Sequence, residues 1–261
     1  MLGSFKFRGA TIAYSTKGKG RTILLIHGFL GAKEIWKDFE SRLARNFKVI
    51  SIDLPGHGKS DCIGYVHNME LLADCCKHLL THLSVRKAIV VGHSLGGYVG
   101  LAFGEKFPDS VLGLILVNST AKGDSEERKK SRNQLIKLVK KDRQKLLDVL
   151  VPSFFSLQTR KTKWQINSYL KMANNCTEQG IIATAEGMKK RKEREIVLKF
   201  APYPYRYIIG AQDSILNPNQ LIKETEIGQF GTYTLLDDAS HMSLLESKEQ
   251  VFKEIKSFSK R

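Results

Sequence analysis

A serine stands at the centre of the segment Gly92-His93-Ser94-Leu95-Gly96. The apolar, mostly β-branched run Ala88–Val91 comes directly before it and predicts a strand that is buried on both faces. Residues Tyr98–Phe107 after it predict a helix. Between a strand and a helix, G-x-S-x-G forms a turn so tight that the serine backbone is strained and its hydroxyl is exposed. The sequence therefore predicts that Ser94 is a nucleophile.

A neutral serine hydroxyl is a weak nucleophile and needs a base, which in turn needs an orienting group. We predict that His241 is the base, because it lies in a loop between the last predicted strand and the final helix. Asp213 directly follows the preceding predicted strand and is the predicted orienting acid. Asp237 and Asp238 are closer to His241 in sequence, but their loop would have to fold back to reach its ring. The alternatives are an ordinary loop histidine and a loop-capping aspartate.

Attack on a carbonyl places negative charge on the substrate oxygen, and N–H donors must already point to it. The backbone N–H of Leu95, next to the serine, is one predicted donor. The N–H of Phe29, in the loop after the predicted strand Thr22–Ile26, is the other. These two groups form the predicted oxyanion hole.

Strands and helices alternate along most of the chain, which predicts an α/β fold with a mostly parallel, eight-stranded sheet and helices on both faces. The alternation stops near residue 121 and resumes near residue 205, and between them the apolar spacing is helical. This insertion holds 20 Lys+Arg against 9 Asp+Glu, most of the net charge of +16. We predict a core of residues 1–120 and 201–261 with a helical cap, or lid, of residues 121–200.

Composition and charge argue against several classes of protein. No apolar run approaches the roughly 20 residues of a membrane span, and residues 1–6 have no apolar signal core, which predicts a cytoplasmic protein. The basic residues are not interleaved with aromatic ones as in nucleic-acid modules, so no nucleic-acid partner is expected and a solvated surface is the simplest account of the charge. The four cysteines have no disulfide or zinc spacing, so we predict free thiols in a reducing cytosol and no metal site: Cys62, Cys75, Cys76, Cys176. No cofactor is expected.

Aromatic side chains are the candidates for the lining of a substrate pocket. One lies near the sheet and the others lie in the predicted cap together with Met172, and packing inside the protein is the competing role: Trp36, Phe154, Phe155, Trp164, Tyr169. Arginines of the cap could instead hold a carboxylated substrate: Arg128, Arg132, Arg160, Arg191.

Five motifs together resemble the α/β-hydrolase superfamily, in its branch of serine-nucleophile esterases and lactonases: His27–Gly31, Asp53–Ser60, Gly92–Gly97, Gly210–Asp213, Ser240–Met242. The resemblance covers all of the chain except the cap, and it implies the nucleophile, acid, base and N–H donors predicted above. Two departures are small: Ser240 stands where glycine is usual, and Pro218 is one place later than the proline of the family.

Several chemistries share this motif set. The leading prediction is a hydrolase of small or medium carboxylic esters that acts through an acyl-enzyme with a Ser-His-Asp triad, on a small-molecule substrate. The alternative is a carboxylated substrate, handled by a C–C bond hydrolase, an enol-lactonase or a relative of the menaquinone-pathway synthase. That synthase branch tends to carry an arginine where this chain has Tyr98. A second alternative is a non-catalytic, hydrolase-like binding protein. The sequence does not predict an oligomeric state.

Overall fold

The chain forms one eight-stranded sheet, in the order β1-β2-β4-β3-β5-β6-β7-β8. The computed structural model describes residues 1–260, without the side chains of residues 160–162. Strand β2 is antiparallel to β1 and to β4, and the other neighbouring strands are parallel. This confirms the predicted sheet. The strands are β1 Leu2–Phe7, β2 Ala10–Lys17, β3 Thr22–Ile26, β4 Lys48–Ile52, β5 Ala88–His93, β6 Val111–Val117, β7 Tyr205–Gly210 and β8 Gly231–Leu236.

The first two strands form a β-hairpin. Its two turn residues, Arg8 and Gly9, both have positive φ, at 50° and 83°. Two such residues match the right-handed twist of the strands that they join. All five residues of β3 and all six of β5 are buried, as expected for central parallel strands that are covered on both faces.

Six helices pack on the sheet: α1 Lys37–Leu43, α2 Met69–His82, α3 Leu95–Lys106, α10 Pro218–Thr225, α11 Ser243–Glu246 and α12 Lys248–Lys260. Helix α3 begins at Leu95, three residues before the predicted start at Tyr98, and its first turn includes Gly96 and Gly97. Ten of its twelve residues are buried. The helix therefore follows Ser94 without a linker.

The elements between β6 and β7 are all helical in the part of the chain that the structure describes, as the spacing predicted. They are α4 Glu126–Lys141, α5 Arg143–Ser153, α6 Leu157–Thr162, α7 Trp164–Asn174, α8 Glu178–Lys189 and α9 Glu195–Lys199. Four of them begin at a residue whose side chain accepts a bond from a backbone N–H of the first turn: Ser125, Asp142, Ser156, Thr177. The division of the chain at residues 120 and 200 stays a prediction.

Hydrogen bonds connect this insertion to the loops at the carboxyl ends of the strands. The Tyr169 hydroxyl donates to the Phe29 carbonyl over 2.7 Å, and the His67 N–H donates to the Ala183 carbonyl over 2.8 Å. Since Phe29 follows β3, the insertion reaches the sheet edge at which β5 delivers Ser94. Among the described residues, no helix is long and apolar enough to cross a membrane.

Candidate active site

Ser94 occupies the turn between β5 and α3 with φ 50° and ψ −114°. A non-glycine residue in such a conformation is strained by about 1–3 kcal/mol, and such strain clusters at functional sites. A Cβ on Gly92 would lie 2.2 Å from the Gly96 carbonyl oxygen, and a Cβ on Gly96 would lie 2.2 Å from the Ile26 oxygen. The turn therefore requires both glycines, one for the turn itself and one for its approach to β3.

Two hydrogen bonds join the three residues that the sequence singled out. The Ser94 hydroxyl and His241 Nε2 are 2.9 Å apart, and His241 Nδ1 and Asp213 Oδ2 are 2.8 Å apart. Ser94 follows β5, Asp213 follows β7 and His241 follows β8, so the three meet at the carboxyl edge of the sheet. This arrangement can pass the serine proton to the imidazole while the carboxylate holds the ring.

Asp213 is buried, and both of its carboxylate oxygens accept hydrogen bonds. Its Oδ1 accepts from the N–H groups of Ile215 and Leu216, and its Oδ2 accepts from Asn118 Nδ2 as well as from His241. Burial alone raises the pKa of a carboxyl group, but here the His241 ring and the N–H donors outweigh it and lower the pKa of Asp213. The carboxylate is thus held ionised beside the ring.

His93 supports the loop that carries His241. Its Nε2–H donates to the His241 carbonyl over 2.9 Å, and the two rings are 5.4 Å apart. Burial, together with the neighbouring His241, lowers the pKa of His93 to about 3. The ring therefore stays neutral and keeps this donor at physiological pH.

Asn118 contacts both Asp213 and the loop that carries His241. Its side chain donates to Asp213 Oδ2 over 3.0 Å and to the Ser240 carbonyl over 3.2 Å, and it accepts from the Ser243 hydroxyl. Asn118 is not among the site residues that the sequence predicts. The available signal was its place directly after β6, at the same edge of the sheet as the other strand ends.

Ser240, one of the two departures from the superfamily pattern, joins the loop that carries His241 to the insertion. Its hydroxyl lies 2.9 Å from the Phe154 carbonyl and 2.6 Å from Glu246 Oε2. The Glu246 carboxylate also accepts from the N–H groups of Ser156 and Ser240. Burial opposes the ionisation of Glu246, but the bonds from Ser240 and Ser156 prevail and lower its pKa.

Glu246→Gln is expected to lower the free energy of unfolding by about 1–3 kcal/mol at pH 7, because the amide nitrogen cannot accept these N–H bonds. A carboxyl with a lowered native pKa stabilises the fold above its unfolded pKa, and this contribution fades as the pH falls through the native pKa. The difference between wild type and variant should therefore shrink below about pH 4.5. Urea unfolding at several pH values measures it.

The exposed Glu226→Gln is the matched control and should leave the free energy of unfolding nearly unchanged. A constant difference between wild type and Glu246→Gln from pH 7 to pH 3 would contradict the assignment of an ionised Glu246.

A cavity of about 60 Å³ lies at Ser94 and His241. The insertion contributes Phe154, Tyr169 and Met188 to its walls, and Phe29 comes from the loop after β3. The Phe154 and His241 rings are 5.9 Å apart. Residues on both sides of the site therefore enclose the serine hydroxyl.

The predicted lining residues lie in different parts of the structure, and not all of them reach the cavity. Phe154 lines the cavity, whereas Phe155 is buried beside it with its ring edge-on to Tyr169, away from the cavity walls. Trp36 is fully buried and packs edge-on against Phe39 in the core. Trp164 is 62% exposed on the surface of the insertion. Of the predicted pocket residues, the structure thus brings Phe154 and Tyr169 to the cavity at Ser94, but not the others: Trp36, Phe155, Trp164, Met172.

The candidate arginines also differ in position. Arg128 and Arg132 line the cavity at Ser94, and Arg191 lines a neighbouring polar cavity. The Arg160 side chain lies outside the described residues. Among the described residues there is no group of three or more His, Cys, Asp or Glu side chains that could hold a metal ion.

Comparisons with known proteins agree with this geometry. A family model described as the alpha/beta hydrolase fold matches residues 21–248. A curated relative, the dihydrolipoyllysine-residue acetyltransferase component of the acetoin cleaving system of Pseudomonas putida, is 28% identical over 247 residues. The match covers 92% of this chain but 64% of that protein, so the chain is similar to a part of it.

Two solved structures share the fold over nearly the whole chain. A thermophilic esterase from Thermogutta terrifontis, solved with malate bound, superposes with a TM-score of 0.92 at 28% identity, covering 98% of this chain and 97% of that one. The enol-lactonase from Burkholderia xenovorans LB400 also gives 0.92, at 20% identity, covering 99% of this chain and 100% of that one. The family model, the eight-stranded sheet and the strained serine turn lead to one conclusion: this chain belongs to the alpha/beta hydrolase fold family.

Proposed function

We propose that the protein hydrolyses small or medium carboxylic esters through an acyl-enzyme, with Ser94 as nucleophile, His241 as base and Asp213 as orienting acid. The observation that carries the proposal is the continuous pair of hydrogen bonds from Ser94 through His241 to Asp213, at 2.9 and 2.8 Å. Lactones, which are cyclic esters and undergo the same chemistry, are an alternative substrate class.

In the first step, His241 Nε2 takes the serine proton as Ser94 Oγ attacks the ester carbonyl. The tetrahedral intermediate collapses, the alcohol leaves with the proton from His241, and the acyl group stays on Ser94. Water then attacks the acyl-enzyme, with His241 again accepting a proton, and the carboxylic acid leaves as the Ser94 hydroxyl forms again. Neither step requires a cofactor.

The developing oxyanion is proposed to bind the N–H groups of Phe29 and Leu95. Among the described residues, no acceptor engages either N–H group. Leu95 is the first residue of α3, so its N–H lies at the positively polarised end of that helix. The loss of one such donor usually costs about 3 kcal/mol of barrier.

We further propose that residues 121–200 act as a cap over a core of residues 1–120 and 201–261, in the cytoplasm. The cap is supported by Phe154, Tyr169 and Met188, which share a cavity with Ser94. Four free cysteines, three of them buried, are consistent with a reducing compartment.

A fluorophosphonate probe tests the proposal against a non-catalytic binding protein. We expect covalent labelling of Ser94, located by peptide mass spectrometry, together with hydrolysis of p-nitrophenyl esters of short and medium chain length. A folded wild type that the probe leaves unlabelled would favour the binding protein. Labelling without hydrolysis of any ester in the series would transfer the assignment to lactones, thioesters or C–C bonds.

A further inference from the structure

Two larger cavities adjoin the small one at Ser94. The polar cavity, about 660 Å³, lies between the insertion and the loop that leads from Asp213 to α10. The apolar cavity, about 480 Å³, lies between α4 and α5 and is lined by leucines, Leu135 and Leu146 among them. Ligand pockets usually measure roughly 300–1,000 Å³, so a substrate at Ser94 must extend into one or both.

Arg128 and Ile215 line all three cavities. The Arg128 guanidinium donates to the Ile215 carbonyl, so a single hydrogen bond lies where the three spaces meet. A guanidinium has five N–H donors in a planar fork. Among the described residues, this carbonyl is the one acceptor within hydrogen-bond distance of it. The remaining donors of Arg128 are therefore available to a ligand.

The other cations around these cavities have acidic partners. Arg132 and Arg191 both bind Asp124, and Lys122 lies 3.5 Å from Glu195.

No carboxylate of a described residue lies within 4.0 Å of the Arg128 guanidinium. The nearby Asp213 carboxylate is already engaged by four donors. Arg128 is thus a half-buried positive charge without a carboxylate partner, at the branch point of the cavities.

We propose that Arg128 determines specificity by binding a carboxylate on one substituent of the ester, an inference that rests on the proposed function. The carboxylate replaces the Ile215 carbonyl as the acceptor, and the polar and small cavities then join into one space. The other substituent, which is apolar, lies between α4 and α5. A carboxylate fits because the planar guanidinium binds it through two parallel hydrogen bonds, and one unpaired cation matches one negative charge.

The test uses two alkyl fluorophosphonates of equal length that end in a carboxylate or in the isosteric carboxamide. Their second-order rates of Ser94 labelling need no knowledge of the natural leaving group. In wild type the carboxylate probe should react faster. Arg128→Gln should slow it about 10- to 100-fold, the usual worth of a charged hydrogen bond, while the carboxamide rate stays within about threefold. Arg128→Lys should restore part of the preference.

Lys130→Gln is the matched control, because it removes the same charge from an exposed position two residues along α4. It should leave both rates unchanged.

An equal loss of both labelling rates in Arg128→Gln, or an unchanged ratio of the two rates, overturns the inference. In either case, labelling of Ser94 by the carboxamide probe still supports the proposed hydrolase. A wild type that neither probe labels contradicts the proposed function, and the inference is then rejected with it.

Discussion

Ser94→Ala is expected to lower kcat/KM for the best p-nitrophenyl ester by about 10⁴- to 10⁶-fold. The methyl group can neither attack the carbonyl nor form an acyl-enzyme, so the variant retains only substrate binding and the proposed oxyanion donors. The backbone at residue 94 keeps its φ of 50°, which alanine adopts at a strain similar to that of serine, so the fold should persist. Initial rates together with a circular dichroism melting curve separate lost chemistry from lost structure.

Ser119→Ala is the matched control for that experiment. The Ser119 hydroxyl donates to the Ser94 carbonyl over 2.8 Å, so it lies next to the proposed nucleophile but does not contact its hydroxyl. This variant should keep kcat/KM within about tenfold of wild type, the worth of one neutral hydrogen bond. If Ser94→Ala retained more than a tenth of wild-type activity, another residue would have to be the nucleophile.

The sequence was sufficient to predict the sheet and the three residues that meet at its edge. Each of these residues directly follows a strand or lies in a short loop beyond one, and parallel strands bring their carboxyl ends to the same edge. The pattern around Ser94 is also local: the turn requires Gly92 and Gly96 in the adjacent sequence. Signals of this kind can be recognised in the sequence without knowledge of tertiary contacts.

The pocket wall could not be predicted in the same way. Phe154 and Phe155 are neighbours in the sequence at the end of α5, yet one lines the cavity and the other packs beside Tyr169. Which of the two side chains faces the cavity depends on how the end of α5 is rotated, and the amino-acid composition does not reveal that rotation. Trp36 failed as a pocket residue for a related reason, because its apolar spacing is equally typical of a core position.

The contacts that support Asp213 and the loop that carries His241 also depend on tertiary structure. The Asn118 bond to Asp213 joins residues 95 positions apart, and the His93 bond to the His241 carbonyl spans 148. No local sequence pattern predicts a contact between residues so far apart in the chain. Both residues are nevertheless polar groups at strand ends, and this feature could have marked them as candidates.

Asp213→Asn is expected to lower kcat by about 10³- to 10⁴-fold with little change in shape. The N–H groups of Ile215 and Leu216 both point at Oδ1, so the amide oxygen of the variant should take that position. The amide nitrogen then faces His241 Nδ1 and donates to it. The ring must switch tautomer, Nε2 carries the proton, and it can no longer accept one from Ser94.

The exposed Asp238→Asn is the control for this variant, since it removes the same charge three residues from His241. It should leave kcat within about twofold, because surface charges contribute little. The same 10³- to 10⁴-fold loss should appear in the rate of fluorophosphonate labelling of Asp213→Asn, because that reaction uses the same proton transfer. A labelling rate equal to that of wild type would mean that Asp213 does not set the tautomer. The loss of ester hydrolysis would then have to come from a later step, such as deacylation.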